Sequence, residues 1–448
     1  MARPVRGGMA ELARGGMAGL VGAGVSAGSQ FLIVVAVTRG LDAGTAGAFF
    51  TATTLCLMIA GILRLDCGNG LIYFIARSRE RTYHDISRYF QVALAPVIML
   101  STATAVVVFV WGDTITTALI SGPAAAALGP ALHTLAVALP VIACADVLIS
   151  ATRGFGVMRP TALLGGVLQP GAQLVLVGTV ASTGVAASLG WVLPAAWAVP
   201  ALPVLVLAAI WLRRRVPSGP YIPGTAREFW RHTAPRALGG AVQAVFQRLD
   251  IVIVAVLAGP EEAALYTAAT RFKVVGQLIN QGLAQAVQPR LVRAMAEGDL
   301  PLARRIYQAA TMWLVVLTWP VWLGYAALAP WLLGVFGERY SDGATVAAVL
   351  AVTMMAATAC GMVDVVLIAA GHTTSSMMNI LGAIAVTVAL DVALVPSHGA
   401  LGAALGWSGG VLAKNLLPLL QIARLYDLRP FGAHSLPSLR PWHARDAT

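Results

Sequence analysis

Phe90 to Trp111 reads FQVALAPVIMLSTATAVVVFVW, an apolar run without a charged side chain. As a helix rising ~1.5 Å per residue, such a run crosses the roughly 30 Å hydrocarbon core of a bilayer. Arg88 flanks it on one side and Asp113 on the other. The pattern recurs in both directions, at residues 17–38, 46–66, 131–152, 160–182 and 188–212. A second set falls at 237–258, 264–288, 308–330, 344–370, 377–396 and 400–422. Composition agrees: of 448 residues 58% are hydrophobic and 11% charged, against about 25% charged in an average soluble domain. The expectation is an all-α polytopic membrane protein with about twelve transmembrane helices. A soluble enzyme, a disordered chain and a disulfide-stapled secreted domain are excluded on the same grounds.

The four cysteines, Cys56, Cys67, Cys144 and Cys360, lie in apolar segments as small core residues. No Cys or His spacing marks a metal or redox centre, so no metal, cofactor or catalytic residue is expected. The first apolar run follows Arg3, Arg6 and Arg14 and reaches about Val37; it exceeds a signal-peptide core and reads as a retained span. The net charge of +11 follows the membrane rather than a nucleic acid. Most cations fall in the N-terminal arm, the 77–88 loop, Arg153 and Arg159, the 213–236 segment, the 290–305 loop and the tail, leaving Arg39 and Arg339 in the outer loops. The positive-inside rule then puts both termini in the cytoplasm.

No segment between spans has the ~50 residues that a soluble catalytic domain needs. The 213–236 segment holds Arg213-Arg214-Arg215 with Pro217, Pro220 and Pro223 and divides the chain. The expected organisation is a six-helix lobe over 1–212, a cytoplasmic linker over 213–236, a second six-helix lobe over 237–422 and a basic cytoplasmic tail over 423–448. The halves resemble each other at one constant shift. It puts Phe50-Thr51-Ala52 on Tyr266-Thr267-Ala268, Arg77 on Arg293, Cys144 on Cys360 and Leu189-Gly190-Trp191 on Leu405-Gly406-Trp407. Parallel halves of this kind are a known transporter plan, with substrate held between lobes that rock. Pro170, Pro194, Pro200, Pro203 and Pro320 fall inside or near spans, where each can kink a helix.

A charge at mid-membrane costs about 2.5–3.5 kcal/mol on insertion scales and so faces a polar cavity or a partner. The cations in this class are Arg64, Arg248, Arg271, Lys273 and Lys414, which include both lysines of the chain. Converging on a cavity they suit an anionic group such as a pyrophosphate, since the planar guanidinium holds two phosphate oxygens at once. Snorkelling of Arg271 and Lys273 and interfacial placement of Arg64 are the alternatives. The acids Asp66, Asp250, Asp146, Asp364 and Asp391 are either coupling-ion ligands or members of ion pairs, with helix-end capping a further alternative for the last three. Arg248 and Asp250, two apart on a continuous helix, point to different sides and are not expected simply to neutralise each other. Gln247, Gln277, Asn280 and Gln281 are expected to line the polar cavity. For them, as for Gln30, Gln169 and Gln173, hydrogen bonding between helices is the alternative.

The run Val37-Thr38-Arg39-Gly40-Leu41 through Gly47-Ala48-Phe49-Phe50, then Leu65-Asp66-Cys67-Gly68 and Tyr73-Phe74-Ile75-Ala76-Arg77, resembles the opening of polysaccharide-transport flippases. These belong to the multidrug/oligosaccharidyl-lipid/polysaccharide exporter superfamily; Cys67 stands where that family usually has leucine. Asp250 with Gly259 and Tyr266, Pro289-Arg290-Leu291, and Val395-Pro396 followed by Gly399-Ala400-Leu401-Gly402-Ala403-Ala404 are similar to its later turns. The resemblance implies translocation of polyprenyl-pyrophosphate-linked oligosaccharide from the inner to the outer leaflet of a bacterial cytoplasmic membrane, by alternating access. It also implies an ion gradient or membrane potential as the drive, contact with membrane lipids and contact with polysaccharide-assembly enzymes. It transfers no residue-exact substrate motif. The rivals are a drug exporter of the same superfamily, a lipid II flippase, which typically has fourteen spans, a membrane polysaccharide polymerase or ligase, and a non-transporting scaffold.

Overall fold

The computed structural model describes residues 6–81, 86–119, 125–184, 189–216 and 224–436. Arg3, Pro217, Pro220, Pro223 and the tail beyond 436 lie outside those residues. Every regular element among them is helical, and the chain divides into two compact units, Met1–Ala264 and Leu265–Thr448.

The first unit opens with α1 (Arg6–Gly40), α2 (Ala43–Leu63), α3 (Cys67–Arg81), α4 (Ile86–Val110) and the short α5 (Gly112–Leu119). Next come α6 (Ala125–Thr152), a π-helical stretch (Thr161–Leu168) that runs into α7 (Gln169–Thr183), α8 (Val192–Ala198) and α9 (Ala201–Arg213). It ends with α10 (Thr225–Phe246), α11 (Leu249–Leu257) and the start of α12 (Pro260–Thr270). Central helix α6 packs against α2, α3, α4 and α9, while α1 lies along the π-helical stretch and α7. Leu71, Phe74, Val147, Leu148, Val204 and Phe229 form much of one buried core. Gln30 and Gln173 take the interhelical alternative: the Gln30 amide donates to Gln173 at 3.2 Å, and Gln173 donates to the Trp197 carbonyl at 2.9 Å.

The second unit holds the rest of α12, α13 (Lys273–Ala296), α14 (Leu300–Ala327), the short α15 (Ala329–Gly334), α16 (Ala344–Ala359), α17 (Val363–Ala369) and α18 (Thr373–Tyr426). The last is two helices joined at Gly399, whose φ of 52° and ψ of −130° are non-helical. Its limbs meet along Gly402, Gly406 and Gly410, one glycine per turn. A Cβ at these positions would strike the Leu394 carbonyl, the Asp391 carboxylate and the Thr387 hydroxyl, so the backbones are in direct contact.

Element boundaries repeat at one offset. Ala43 and Pro260 open α2 and α12, Val110 and Ala327 close α4 and α14, Gly112 and Ala329 open the short α5 and α15, and Thr152 and Ala369 close α6 and α17. Local chemistry places some of these ends. The Asp42 carboxylate accepts from the Thr45 backbone N–H at 2.9 Å and caps α2; Asp299 caps α14 through Leu302 in the same way. Burial pushes the Asp42 carboxyl up, but its bonds from Thr45 prevail and hold it below the ordinary value.

Nine helices among the described residues are long and apolar enough to cross a membrane, or ten if α10 and α11, bent by 43°, are one broken span. The protein is a multi-pass membrane protein. Of the twelve stretches read from sequence, 377–396 and 400–422 fall in the two limbs of α18, counted here as one helix. The stretch at 264–288 is not among the nine: Arg271, Lys273 and the amides of α13 lower its hydropathy, and the helix breaks at Arg271–Phe272. The 46–66 stretch also ends early. Its helix stops at Leu63, and Leu65 and Asp66 take φ of 50° and 52°, so the break precedes the glycines at 68 and 70. A left-handed conformation costs a non-glycine residue roughly 1–2 kcal/mol.

Candidate functional site: charges inside the helical bundle

In the first unit, charges from separate helices gather because α2 packs against α6 and also against α10 and α11. Arg64 is the C-terminal cap of α2, Asp146 lies on α6, and Arg248 sits at the bend between α10 and α11 with φ −135°. Asp146 is within electrostatic reach of both Arg64 and Arg248. Arg248 also feels Asp250 and Arg64, and Arg153 at the far end of α6 feels Arg64. Three guanidinium groups therefore share a neighbourhood with two carboxylates, and positive charge is in excess. Asp250 is 3% exposed and accepts the Ile251 backbone N–H at 2.9 Å. The helix is not continuous there, since Arg248 stands in the break and Asp250 in the first turn of α11; Arg248 feels Arg64 and Asp146 ahead of Asp250, so the two do not form a simple neutral pair. Gln247 is exposed at the same bend.

Asp66 stands apart from this group. Its carboxylate accepts from Arg236 Nε at 2.9 Å and from Asn69 Nδ2 at 2.6 Å, so its place is in an ion pair. Arg236 was absent from the sequence candidates; its position in the basic 213–236 segment marked it only as a determinant of orientation. Arg153 was likewise set aside as a loop cation.

The second unit places its charges in several separate settings. Lys273 Nζ lies 3.9 Å over the Trp407 ring and 5.7 Å over Tyr266, a cation–π arrangement rather than a reach to headgroups. Trp407 had no sequence signal beyond its match in the internal repeat. Arg271 sits in the break before α13. Asp364 accepts the Ser376 hydroxyl and lies within electrostatic reach of Lys414. Asp391 is fully buried against Gly406 in the α18 hairpin. Gln277, Asn280 and Gln281, with Gln285 and Gln288, are exposed at spacings that put them along one side of α13. Asn379 and Gln421 bond reciprocally at 2.8 and 3.1 Å across the limbs of α18. The cysteines are buried free thiols, and no three His, Cys, Asp or Glu side chains among the described residues gather as metal ligands would.

Solved structures of transporters share this helical fold. One is an inward-facing multidrug resistance MATE family transporter of the MOP superfamily: TM-score 0.73, 16% identity, covering 91% of this chain and 98% of the other. Another is the lipid II flippase MurJ in an inward closed conformation, with TM-score 0.73, 13% identity and coverage of 95% and 90%. A third is a MOP superfamily transporter from Pyrococcus furiosus, described as having a binding pocket of reverse polarity, with TM-score 0.60, 17% identity and coverage of 93% and 95%. No curated protein matches the chain. Residues 12–295 match the family described as "Polysaccharide biosynthesis protein". That is more than half of the sequence, and the chain belongs to this family.

Proposed function

We propose that this protein is a flippase that moves polyprenyl-pyrophosphate-linked oligosaccharide from the inner to the outer leaflet for cell-surface polysaccharide assembly. The observation that carries the reading is a linked group of charges within an apolar bundle, Arg64 and Arg248 around Asp146 with Arg153 near Arg64, three cations to the two acids Asp146 and Asp250. Guanidinium groups held from different helices can bind the non-bridging oxygens of a diphosphate while its lipid tail stays in the bilayer. Asp146 keeps the cations in place without neutralising them all. The exposed amides of α13 offer hydrogen bonds for sugar hydroxyls, and Arg271 and Lys414 are the second half's candidate anion ligands, with Lys273 a weaker one because it lies over the Trp407 ring. Alternating access of two six-helix lobes, with both termini in the cytoplasm of a bacterial cell, completes the reading; an ion gradient or the membrane potential supplies the drive.

The test is flipping of a fluorescent short-chain polyprenyl-pyrophosphate oligosaccharide in proteoliposomes, for wild type and Arg248→Ala, beside the same glycan on a neutral lipid. Protein-dependent flipping that requires the pyrophosphate and Arg248 is expected. Flipping that ignores Arg248 would keep the activity and discard the site. Export of small organic cations with no glycan-lipid movement would place the chain among drug exporters.

A further inference from the structure

Outside the bundle's charged cluster, α3 and the start of α10 enclose a groove of about 660 Å³, lined by Tyr73, Arg77, Arg227, Glu228, Arg231 and His232. The walls differ in character. On the α3 side Tyr73 stacks on the His232 ring, centroids 4.2 Å apart, with the Phe74 and Phe229 rings of the core behind it. Glu228 is already engaged: it accepts from Arg77 at 2.8 Å and from the Tyr89 hydroxyl at 2.9 Å. That bond raises Arg77 above its ordinary value and keeps it charged. Arg227 and Arg231 sit four apart on one side of α10, both exposed, and among the described residues neither has a carboxylate at ion-pair distance. Counting Glu228 against Arg77, the groove keeps two positive charges that its own walls do not cancel.

A backbone feature adds to this field. Gly224, at φ +97°, turns the chain into α10 and lines the groove, so the positive end of a 22-residue helix lies beside it. The surroundings are those of a bilayer surface. Trp230 and Trp211 pack on the same core as Phe229, and the Arg215 guanidinium lies 3.8 Å over the Trp211 ring at the end of α9. Aromatic and basic residues together mark the headgroup level of membrane proteins. α3 is itself amphipathic and not among the spanning helices, as expected of a helix that lies along that level.

We infer that this groove binds the phosphate ester of an anionic membrane lipid, with Arg227 and Arg231 as its ligands and Tyr73 beside the glycerol and upper acyl region. It is a second anion site, distinct from the charges around Asp146, and does not depend on what the bundle transports. Occupied, it would tie α3 to α10 at the membrane surface, where Arg77 and Glu228 already join them.

The full-length protein, purified in detergent, is titrated with short-chain phosphatidylglycerol, with the matching phosphatidylcholine and with inorganic pyrophosphate, and bound lipid is counted by native mass spectrometry. Phosphatidylglycerol is expected to bind and phosphatidylcholine to bind at least tenfold more weakly. The double substitution Arg227→Gln/Arg231→Gln should weaken phosphatidylglycerol roughly thirtyfold, while Arg293→Gln, an exposed cation elsewhere, changes nothing. Thermal unfolding of the double variant near wild type establishes that it is folded. Equal binding of the two lipids, or unchanged binding by the folded double variant, overturns the site. Displacement of phosphatidylglycerol by equimolar pyrophosphate shows a free-phosphate site and overturns the lipid assignment.

Discussion

The two units treat charge in opposite ways. In the first, Arg64, Asp146 and Arg248 come from helices far apart in sequence and meet through α2, with cations outnumbering acids. In the second, three inward charges have separate settings: Lys273 lies over the Trp407 ring, Asp364 accepts from Ser376 within reach of Lys414, and Asp391 packs on the glycine seam of α18. The element boundaries repeat between halves, yet the chemistry at equivalent depths does not.

The sharpest way to break that contrast is to remove one cation from each side. Arg248→Ala should lower the initial rate of glycan-lipid flipping by about 10- to 100-fold, the worth of a charge-assisted bond at a desolvated site. Lys273→Gln should change it by less than about threefold, because its charge is engaged by an aromatic face. Equal losses from both substitutions would erase the difference between the units.

Packing gives the next largest effect. Gly406→Val places branched carbon where the Asp391 carboxylate lies, and is expected to destabilise the protein by about 3 kcal/mol. Gly24→Ala in α1 is the comparison: nothing lies within 4 Å of a Cβ there, and the exchange removes a helix-interior glycine, so it should be neutral or stabilising by up to about 1 kcal/mol. Thermal unfolding in detergent reads both. A Gly406→Val variant that melts with wild type would mean that the α18 limbs can separate without cost.

How much of this was legible beforehand follows from the kind of signal each feature leaves. Apolar runs such as 90–111 declare themselves, because a bilayer imposes length and hydropathy residue by residue. Asp42 and Asp299 sit ahead of their helices as caps, a local rule. The break at Leu65–Asp66 left no such mark, since neither residue is a glycine. Tertiary partners hold that turn, with Arg236 lying 2.9 Å from Asp66, and spacing along the chain cannot reveal them. The grouping of Arg64, Asp146 and Arg248 was hidden for the same reason. Depth in a span identified each as unusual, but only the packing of α2 against α6, α10 and α11 brings them together.

Lys273 sharpens the comparison through stability rather than transport. Its ammonium gives up the Trp407 face on substitution, so Lys273→Gln should cost about 1 kcal/mol, and Trp407→Leu should cost more through lost burial. In the double variant the two losses should fall short of additive, since each removes the same contact. Strict additivity in thermal unfolding would show that the ring and the ammonium do not interact.

The smallest effect is expected at the first unit's own isolated pair. Arg236 is 55% exposed at its side chain and Asp66 only 14%, so the bond is screened on one side. Exposed pairs of this kind contribute roughly 0–1 kcal/mol. Arg236→Gln should therefore lower stability by less than about 1 kcal/mol, and the coupling between Arg236→Gln and Asp66→Asn in a double-mutant cycle should stay under the same bound. Asn tolerates the left-handed backbone as Asp does, so the second substitution removes charge without adding strain at φ 52°. A coupling several times larger would mean that the ion pair, and not the packing of Leu65 on the core, holds the turn after α2 in place. Asp66 would then join the networked charges of the first unit rather than stand beside them.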